Sequence, residues 1–415
     1  MPRSMSEHRT SLIGAMLVAI GPVSMALYTP ALPTLVEAFD TTDGMVKLTV
    51  SLYFAGFALT QLVCGPLSDA FGRRPVTVAF LLLYLAGSLM AVLAPGIEWL
   101  LAARMVQGVG ASVGVATARA IVRDQYSGET SSRIMNTMGI ILAVAPALAP
   151  SIGGLTLAVA NWHALFVVML FFGLAVIGLV LGQMRETTVP DRGLIRVPAL
   201  IRSYRRLFTN LHFLTTVLTV AGTVGAVYTL ATVLPFVLID EAGLTPAQFG
   251  LGMLGQTGMF LLGSLTVRGL MRRRISAYRL VPAGLFFVGA GSLALIASTA
   301  LLPLSYLSVM APVGLYAFGI AFVMPAMTTA SLAPFPDIAG AASAAMGFVQ
   351  MGGGLLGGLL CAAIGQPVLA TQIVIPAMGA TAIAAYLLYR SRPHLAEPEP
   401  RPQLPAPQLV DTERR

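Results

Sequence analysis

Long uncharged runs alternate with short polar breaks along almost the whole chain. Apolar stretches fall near 11–36, 46–68, 75–95, 97–122, 133–159, 162–184, 212–239, 246–270, 279–300, 304–331, 339–363 and 367–389. Each approaches or exceeds the roughly 20 residues a helix needs to cross a bilayer core. None shows the short alternating pattern of a transmembrane barrel. The pattern therefore predicts an all-α polytopic membrane protein with twelve transmembrane helices.

The longest break, RETTVPDRGLIRVPALIRSYRRLFTNL at 185–211, divides the spans six and six. Within it Leu194, Val197, Ile201, Tyr204 and Phe208 recur at helical spacing, with Arg202, Arg205 and Arg206 elsewhere on the wheel. Two readings stay open: a short helix lying on the inner membrane surface, or a plain connector carrying a topology signal. The expected organisation is a cytoplasmic N-terminal segment 1–10, a six-helix bundle 11–184, the linker 185–211, a second bundle 212–390 and a tail 391–415. The tail holds six prolines and few apolar anchors and reads as disordered.

Faint repeats link the halves. YTPALP at 28–33 aligns with YTLATVLP at 228–235, Arg73 and Arg74 fall on Arg272 and Arg273, and GGGLLGG at 352–358 faces APSIGG at 149–154. Together they predict two pseudo-symmetric six-helix bundles. Repeats related by an axis along the membrane normal place a substrate site at their interface near the midplane, which is the physical case for a transporter.

Composition agrees with this reading. The 415 residues are 56% hydrophobic and 10% charged, with mean hydropathy +0.83, where a soluble domain carries about 25% charged residues. The net charge of +8 is distributed as topology rather than as a nucleic-acid footprint. Of 25 basic residues only Lys47 is a lysine. Arg3, Arg9, Arg73, Arg74, Arg123, Arg133 and the arginines of 185–206, 268–279 and 390 onward fall on one side. Glu37, Asp40, Asp43, Glu98, Asp240 and Glu241 lie on the other, with Lys47 nearly alone among them. Basic residues stay in the cytoplasm, so both termini are expected there, in a bacterial inner membrane. Cys64 and Cys361 fall inside spans and read as free thiols, without zinc spacing. The first apolar run is too long for a cleaved signal and is expected to remain as helix one.

GPLSDAFGRRP at 65–75, after span two, resembles the signature loop of the major facilitator superfamily, matched by Gly65, Asp69, Gly72, Arg73 and Arg74. AARMVQGVGAS at 102–112 resembles that family's fourth-helix motif through Arg104, Gln107, Gly108 and Gly110. APALAPSIGG at 145–154 resembles its fifth-helix antiporter motif, keeping Pro150, Gly153 and Gly154 beside Pro146, with Ala145 and Ala149 in place of two glycines. YTPALP, IVRDQY at 121–126, NWHALF at 161–166 and PDIAGAASAAMGFVQ at 336–350 resemble the Bcr/CflA drug-efflux group (bicyclomycin and chloramphenicol exporters). The resemblance implies export by alternating access, coupled to protons.

It also implies that the 65–75 loop is a cytoplasmic gate whose Asp69 meets the start of span eleven at Ile338–Ala342. A carboxylate at a helix N-terminus gains about 0.3–1 kcal/mol, enough to bias a closed state and still break each cycle. Gly65 is expected to allow close helix approach, and Gly72 to supply a turn with positive φ. Arg123 and Asp124 are expected to join the same charge cluster. Arg104 lies about seven residues into span four. A midspan arginine costs at least about 2.5–3.5 kcal/mol, so it is expected to face a cavity or a partner, with Gln107 nearly one turn on. The alternative is snorkelling to the outer interface. Gly153 and Gly154 are expected to pack closely against a helix of the other bundle. Arg119 has no place in the motif.

The efflux group commonly carries an Asp two residues before the Tyr of YTPALP; here that position is Ala26, and no acid lies deep in any span. Glu37 is left as the candidate for proton coupling. Tyr28, Phe54, Asn136, Tyr228, Gln256 and Gln350 are cavity candidates, since a few polar and aromatic groups orient ligands in apolar pockets. A cavity with Arg104 and no deep acid suits neutral or anionic substrates. No cofactor, metal or nucleic acid is expected, and no phosphate-binding loop occurs. Small molecules, protons and the lipid bilayer are the expected partners of a monomer. The alternatives are an uptake carrier or facilitator of the same fold, or a membrane receptor or scaffold.

Overall fold

The computed structural model describes residues 5–191 and 197–392; Arg3, Leu194 and the expected tail from 393 on lie outside them. Among the described residues twelve helical spans are long and apolar enough to cross a membrane. Span one is α1 (Glu7–Ala26), a short 3-10 turn (Thr29–Ala31) and α2 (Leu32–Ala38), broken after Ala26 in the YTP stretch. Spans two and three are α3 (Asp43–Phe71) and α4 (Arg73–Val92). Span four divides into α5 (Ile97–Ala111) and α6 (Val113–Gln125), and α7 (Gly128–Val159) and α8 (Trp162–Gln183) complete the first bundle. The linker contains α9 (Val197–Phe208). The second bundle comprises α10 (Leu211–Pro235), running into a π-helical turn (Phe236–Glu241), then α11 (Pro246–Arg272), α12 (Ala277–Leu301), α13 (Tyr306–Leu332), α14 (Ala339–Ile364) and α15 (Pro367–Arg390).

Helix is the form these segments must take, because hydrocarbon offers no partner for a free backbone amide or carbonyl. The ends sit where water returns, and several carry local caps. Thr42 caps α3, Asn210 caps α10, and Thr245 with Gln248 forms a reciprocal capping box on α11. The spans alternate in direction. One face of the protein, the terminal face, therefore carries residues 5, 72, 126, 185 and 392; the distal face carries residues 40, 95, 160, 242 and 365.

Within hydrocarbon, packing rather than water exclusion joins helices, so backbones approach closely at small residues. A Cβ on Gly108 of α5 would run into the backbone carbonyl of Tyr53, and one on Gly56 into that of Met105. These two glycines let α3 and α5 touch main chain to main chain. Gly110 does the same against α4, where an added Cβ would lie 2.7 Å from the Phe80 carbonyl.

The linker helix α9 is strongly two-faced. Leu207 is buried with Phe213 and Phe335 of the second bundle, while Val197 and Ile201 stay exposed. Arg206 Nη1 pairs with Asp337 Oδ2 at 2.5 Å. On its other side the Tyr204 hydroxyl donates to the backbone carbonyl of Leu62 in α3. That carbonyl is free because the residue four on is Pro66, which has no amide hydrogen. Burial pushes the Tyr204 hydroxyl up to about 12, so it stays a donor.

Gly108→Leu should cost on the order of 1–3 kcal/mol through overpacking, read as a lower midpoint of thermal unfolding in detergent. Gly178→Leu, where an added Cβ meets nothing within 4 Å, should leave the midpoint unchanged. Equal midpoints for the two variants would refute the close-contact account.

Candidate functional site

Arg104 is fully buried inside the first bundle and does not snorkel. Its guanidinium lies between two aromatic faces, 4.2 Å from the ring centre of Tyr28 and 4.4 Å from that of Tyr53. Nη1 donates to the Ser24 carbonyl at 3.1 Å and to Gln107 Oε1, while Nε and Nη2 have no hydrogen-bond partner among the described residues. Gln107 passes the chain on, donating from Nε2 to Ser88 Oγ at 2.8 Å. Ser24 and Tyr84 share a hydroxyl contact at 2.6 Å, and Tyr28 bonds to Thr49. Among the described residues no carboxylate lies within ion-pair distance of Arg104. Two π faces and a carbonyl stabilise the cation instead, an arrangement suited to the flat guanidinium. Tyr53, Ser24 and Tyr84 are not singled out by the sequence; the signal available was that a midspan arginine must find acceptors nearby.

The seam between the bundles is built on one stripe of α3. Lys47, Ser51, Phe54, Ala58 and Gln61 follow each other at intervals of three or four residues and so share a face. Opposite them, added Cβ atoms at Gly347, Gly354 and Gly358 of α14 would meet Gln61, the Tyr228 and Phe54 rings, and Ser51 in turn. Phe54 and Tyr228 form an aromatic pair across the seam, with ring centres 5.4 Å apart. Half-buried Gln350 lies on the same edge of α14, between Gly347 and Gly354. An apolar cavity of about 490 Å³ adjoins the seam, lined by Ala58, Leu59, Phe348, Gly352, Gly357 and Met378 among others.

The other cavity candidates scatter. Tyr28 belongs to the Arg104 sandwich, away from the seam, so it does not mirror Tyr228. Gln256 is buried on the α11 face that carries Phe249 and Gly263, where Gly263 approaches the Phe318 carbonyl of α13. It therefore faces its own bundle. Asn136 is exposed in the terminal half of α7. The distal half of that helix exposes the single stripe Leu148, Ile152 and Leu155; Asn136 and Gly139 lie off its extension, on a second uncovered face.

In α7 the two glycines have different neighbours. A Cβ on Gly153 would strike the Leu27 carbonyl of its own bundle; only Gly154 meets the other bundle, at the Pro246 carbonyl. The expectation of cross-bundle packing holds for one of the pair. Pro146 and Pro150 both lie within the helix, and Ser151 Oγ donates across to the Gly250 carbonyl at 2.9 Å.

At the terminal face the 65–75 loop forms a charged knot around Arg73, which is 3% exposed. Nε meets Asp124 Oδ2 at 3.0 Å, Nη1 meets Ser68 Oγ at 2.6 Å, and Nη2 pairs with Asp69. Asp69 thus pairs within its own loop rather than at the start of span eleven. That end is approached by Arg119, whose Nη1 donates to Ser343 Oγ at 3.2 Å, and by Arg206 at Asp337. Gly72 has φ +100°, the turn only glycine takes freely, whereas a Cβ on Gly65 would meet nothing within 4 Å, so no close approach depends on it. Arg74 reaches the Leu181 carbonyl at 2.7 Å. Arg123 is exposed and stays outside the knot, because neighbouring positions on a helix point about 100° apart and Asp124 takes the inward one.

Glu186 was missed. Its carboxylate accepts from the backbone amides of Arg73 at 2.9 Å and Arg74 at 3.1 Å, capping α4 from the linker. The sequence signal was a helix starting at Gly-Arg-Arg with no Ser, Thr, Asp or Asn before it, which leaves amides in search of an outside acceptor. Glu37 is exposed on the distal face, not buried as a proton carrier would be.

A sequence profile described as Major Facilitator Superfamily matches residues 14–358, and the chain belongs to that family. It is 32% identical over 259 residues to an uncharacterised MFS-type transporter, YdgK, of Bacillus subtilis (strain 168), a match covering 60% of this chain and 64% of that one. It is 28% identical over 355 residues to Multidrug resistance protein D of Escherichia coli (strain K12), covering 84% of this chain and 87% of the relative. Among solved structures a D-xylose-proton symporter superposes with TM-score 0.73 at 12% identity over 94% of this chain and 98% of its own, a likeness of fold.

Arg104→Lys should cost on the order of 1–3 kcal/mol, since an ammonium cannot lie flat against both rings and reach both acceptors. An unchanged thermal midpoint in detergent would refute the sandwich as a source of stability. Glu186→Ala should cost about 0.5–2 kcal/mol as a lost cap. It should also speed proteolysis near residue 72, and a cleavage pattern like wild type would count against the capping role.

Proposed function

We propose that this member of the Major Facilitator Superfamily is a secondary active transporter that exports small hydrophobic or amphipathic compounds by alternating access, in exchange for protons. The observation that carries the reading is the seam: an aromatic pair, two glutamines and a glycine face meet there between two bundles, beside an apolar cavity. Such a surface can hold a mainly apolar ligand and orient it with few polar groups. The relative named for multidrug resistance supports export, and the charged knot supports a gate at the terminal face. The arginines on that face support a cytoplasmic orientation, as expected for a bacterial inner-membrane protein. The protein works as a monomer, each chain holding its own seam.

The buried charges bear on substrate class. Lys47 is the buried cation on the seam stripe, whereas Arg73 is paired with two carboxylates and Arg104 lies in its sandwich away from the seam; no Asp or Glu among the described residues is buried. The interior therefore favours neutral and anionic compounds over permanent cations.

Proteoliposomes with an imposed pH gradient test this reading. Neutral or anionic hydrophobic compounds should move against their gradient with substrate-dependent proton flux, and a permanent organic cation should move much more slowly. Phe54→Ala should cut the flux on the order of tenfold, about 1.4 kcal/mol of lost ligand contact. Flux indifferent to the pH gradient would instead identify a facilitator, and strong export of the permanent cation would refute the charge argument.

A further inference from the structure

Lys47 is the only lysine in the chain. It stands at the distal end of the α3 seam stripe with none of its surface exposed. Its Nζ lies 3.6 Å from Asp43 Oδ2, one turn back, and 4.5 Å from the ring centre of Phe236 in the π-helical turn of the other bundle. Among the described residues its Nζ has no hydrogen-bond partner. A buried ammonium with one distant carboxylate and one aromatic face is incompletely compensated.

The cover over Lys47 exists only while the bundles meet. Phe236 comes from span seven, and the Cys361 thiol, within electrostatic range, comes from α14. Around the site stands an acidic rim drawn from both halves. Asp43 belongs to α3, exposed Glu37 to α2 and exposed Asp40 to the turn between them; exposed Asp240 and Glu241 belong to the π-helical turn. Asp240 interacts electrostatically with Lys47, and also with Asp43, Glu241 and Glu37. His163 lies on the same face of the protein but stacks on Trp162, ring centres 3.6 Å apart. The closed seam thus sets one buried cation from the first bundle against carboxylates of both.

We propose that Lys47 and this rim form a proton-responsive gate on the distal face, in which ionised carboxylates hold the ammonium inside the closed seam and their protonation releases it. The inference rests on the alternating-access part of the function proposed above. The sign follows from charge balance. Above the carboxylate range the rim is anionic and closure is compensated. As the distal side acidifies, protons add to the rim carboxylates, the ammonium keeps its charge, and the closed state holds an unpaired buried cation. Separating α3 from the π-helical turn lets water reach it. Acid on the distal side would then favour opening to that side.

The test reads the gate without transport. Spin labels at Glu98→Cys and Leu302→Cys, both exposed on the distal face of opposite bundles, report bundle separation in a background with Cys64 and Cys361 replaced by Ala. Distances would be measured by pulsed electron resonance in lipid nanodiscs at about pH 7.5 and about pH 3.5, above and below the ordinary carboxylate range. The labelled protein should shift toward longer distances on acidification. Lys47→Met should stay closed at both values, and Asp43→Asn with Asp240→Asn should be open at both. Lys47→Arg, which keeps the charge, should restore the pH response and shows that the site tolerates substitution. A pH shift that survives in Lys47→Met, or no shift in the unsubstituted labelled protein, would overturn the proposal. No substrate is present, so a failed export assay and a failed gate response remain separate results.

Discussion

Hydrocarbon cannot hydrogen-bond, and every other arrangement in this protein is fitted to that shortage. It makes helices compulsory across the spans. It also means that each interruption must be answered from nearby. Where Gly72 ends one helix and opens the next, the first amides of α4 find Glu186. Where Pro66 withholds an amide inside α3, a phenol from the linker takes the vacated carbonyl. Close packing follows from the same cause, since helices held by contact alone need backbones near enough to touch.

Charge obeys the shortage more severely, and three buried cations meet it in three ways. Arg73 is held by two carboxylates and a hydroxyl in a knot at the membrane edge. Arg104, deepest of the three, lies between aromatic faces with a carbonyl and an amide oxygen for its hydrogens. Lys47 is enclosed only by the meeting of the bundles. The first two arrangements lie within one bundle and can survive any rocking of the halves. The third is made and unmade by that rocking, which is why its compensation is the least complete.

The twelve spans and the two-bundle architecture were legible because apolar length is written directly in the chain. The 65–75 loop was legible as a charged device, and Gly72 as its turn. The partners were not. Asp69 paired four residues along its own chain instead of at α14, since a local ion pair needs no particular arrangement of the bundles. Glu186 and Tyr204 act on residues more than a hundred positions away, and hydropathy carries no information about such meetings. The neighbours of Gln256 and Tyr28 were not legible for a related reason. A polar or aromatic residue on an apolar span announces that it needs a partner, but not whether the partner is a ligand, another helix or, for Tyr28, an arginine.

The Leu62 carbonyl has a consequence for how this chain can change. Replacing Pro66 by alanine would mend α3 by giving that oxygen a donor four residues on, the sort of repair that raises the stability of an isolated helix. The same repair would deprive Tyr204 of its acceptor and loosen the hydrogen bond that ties the linker helix α9 to the first half. Local regularity and long-range tethering compete here for a single lone pair. The defect is the attachment point of α9, and a chain selected only for tidier helices would lose it.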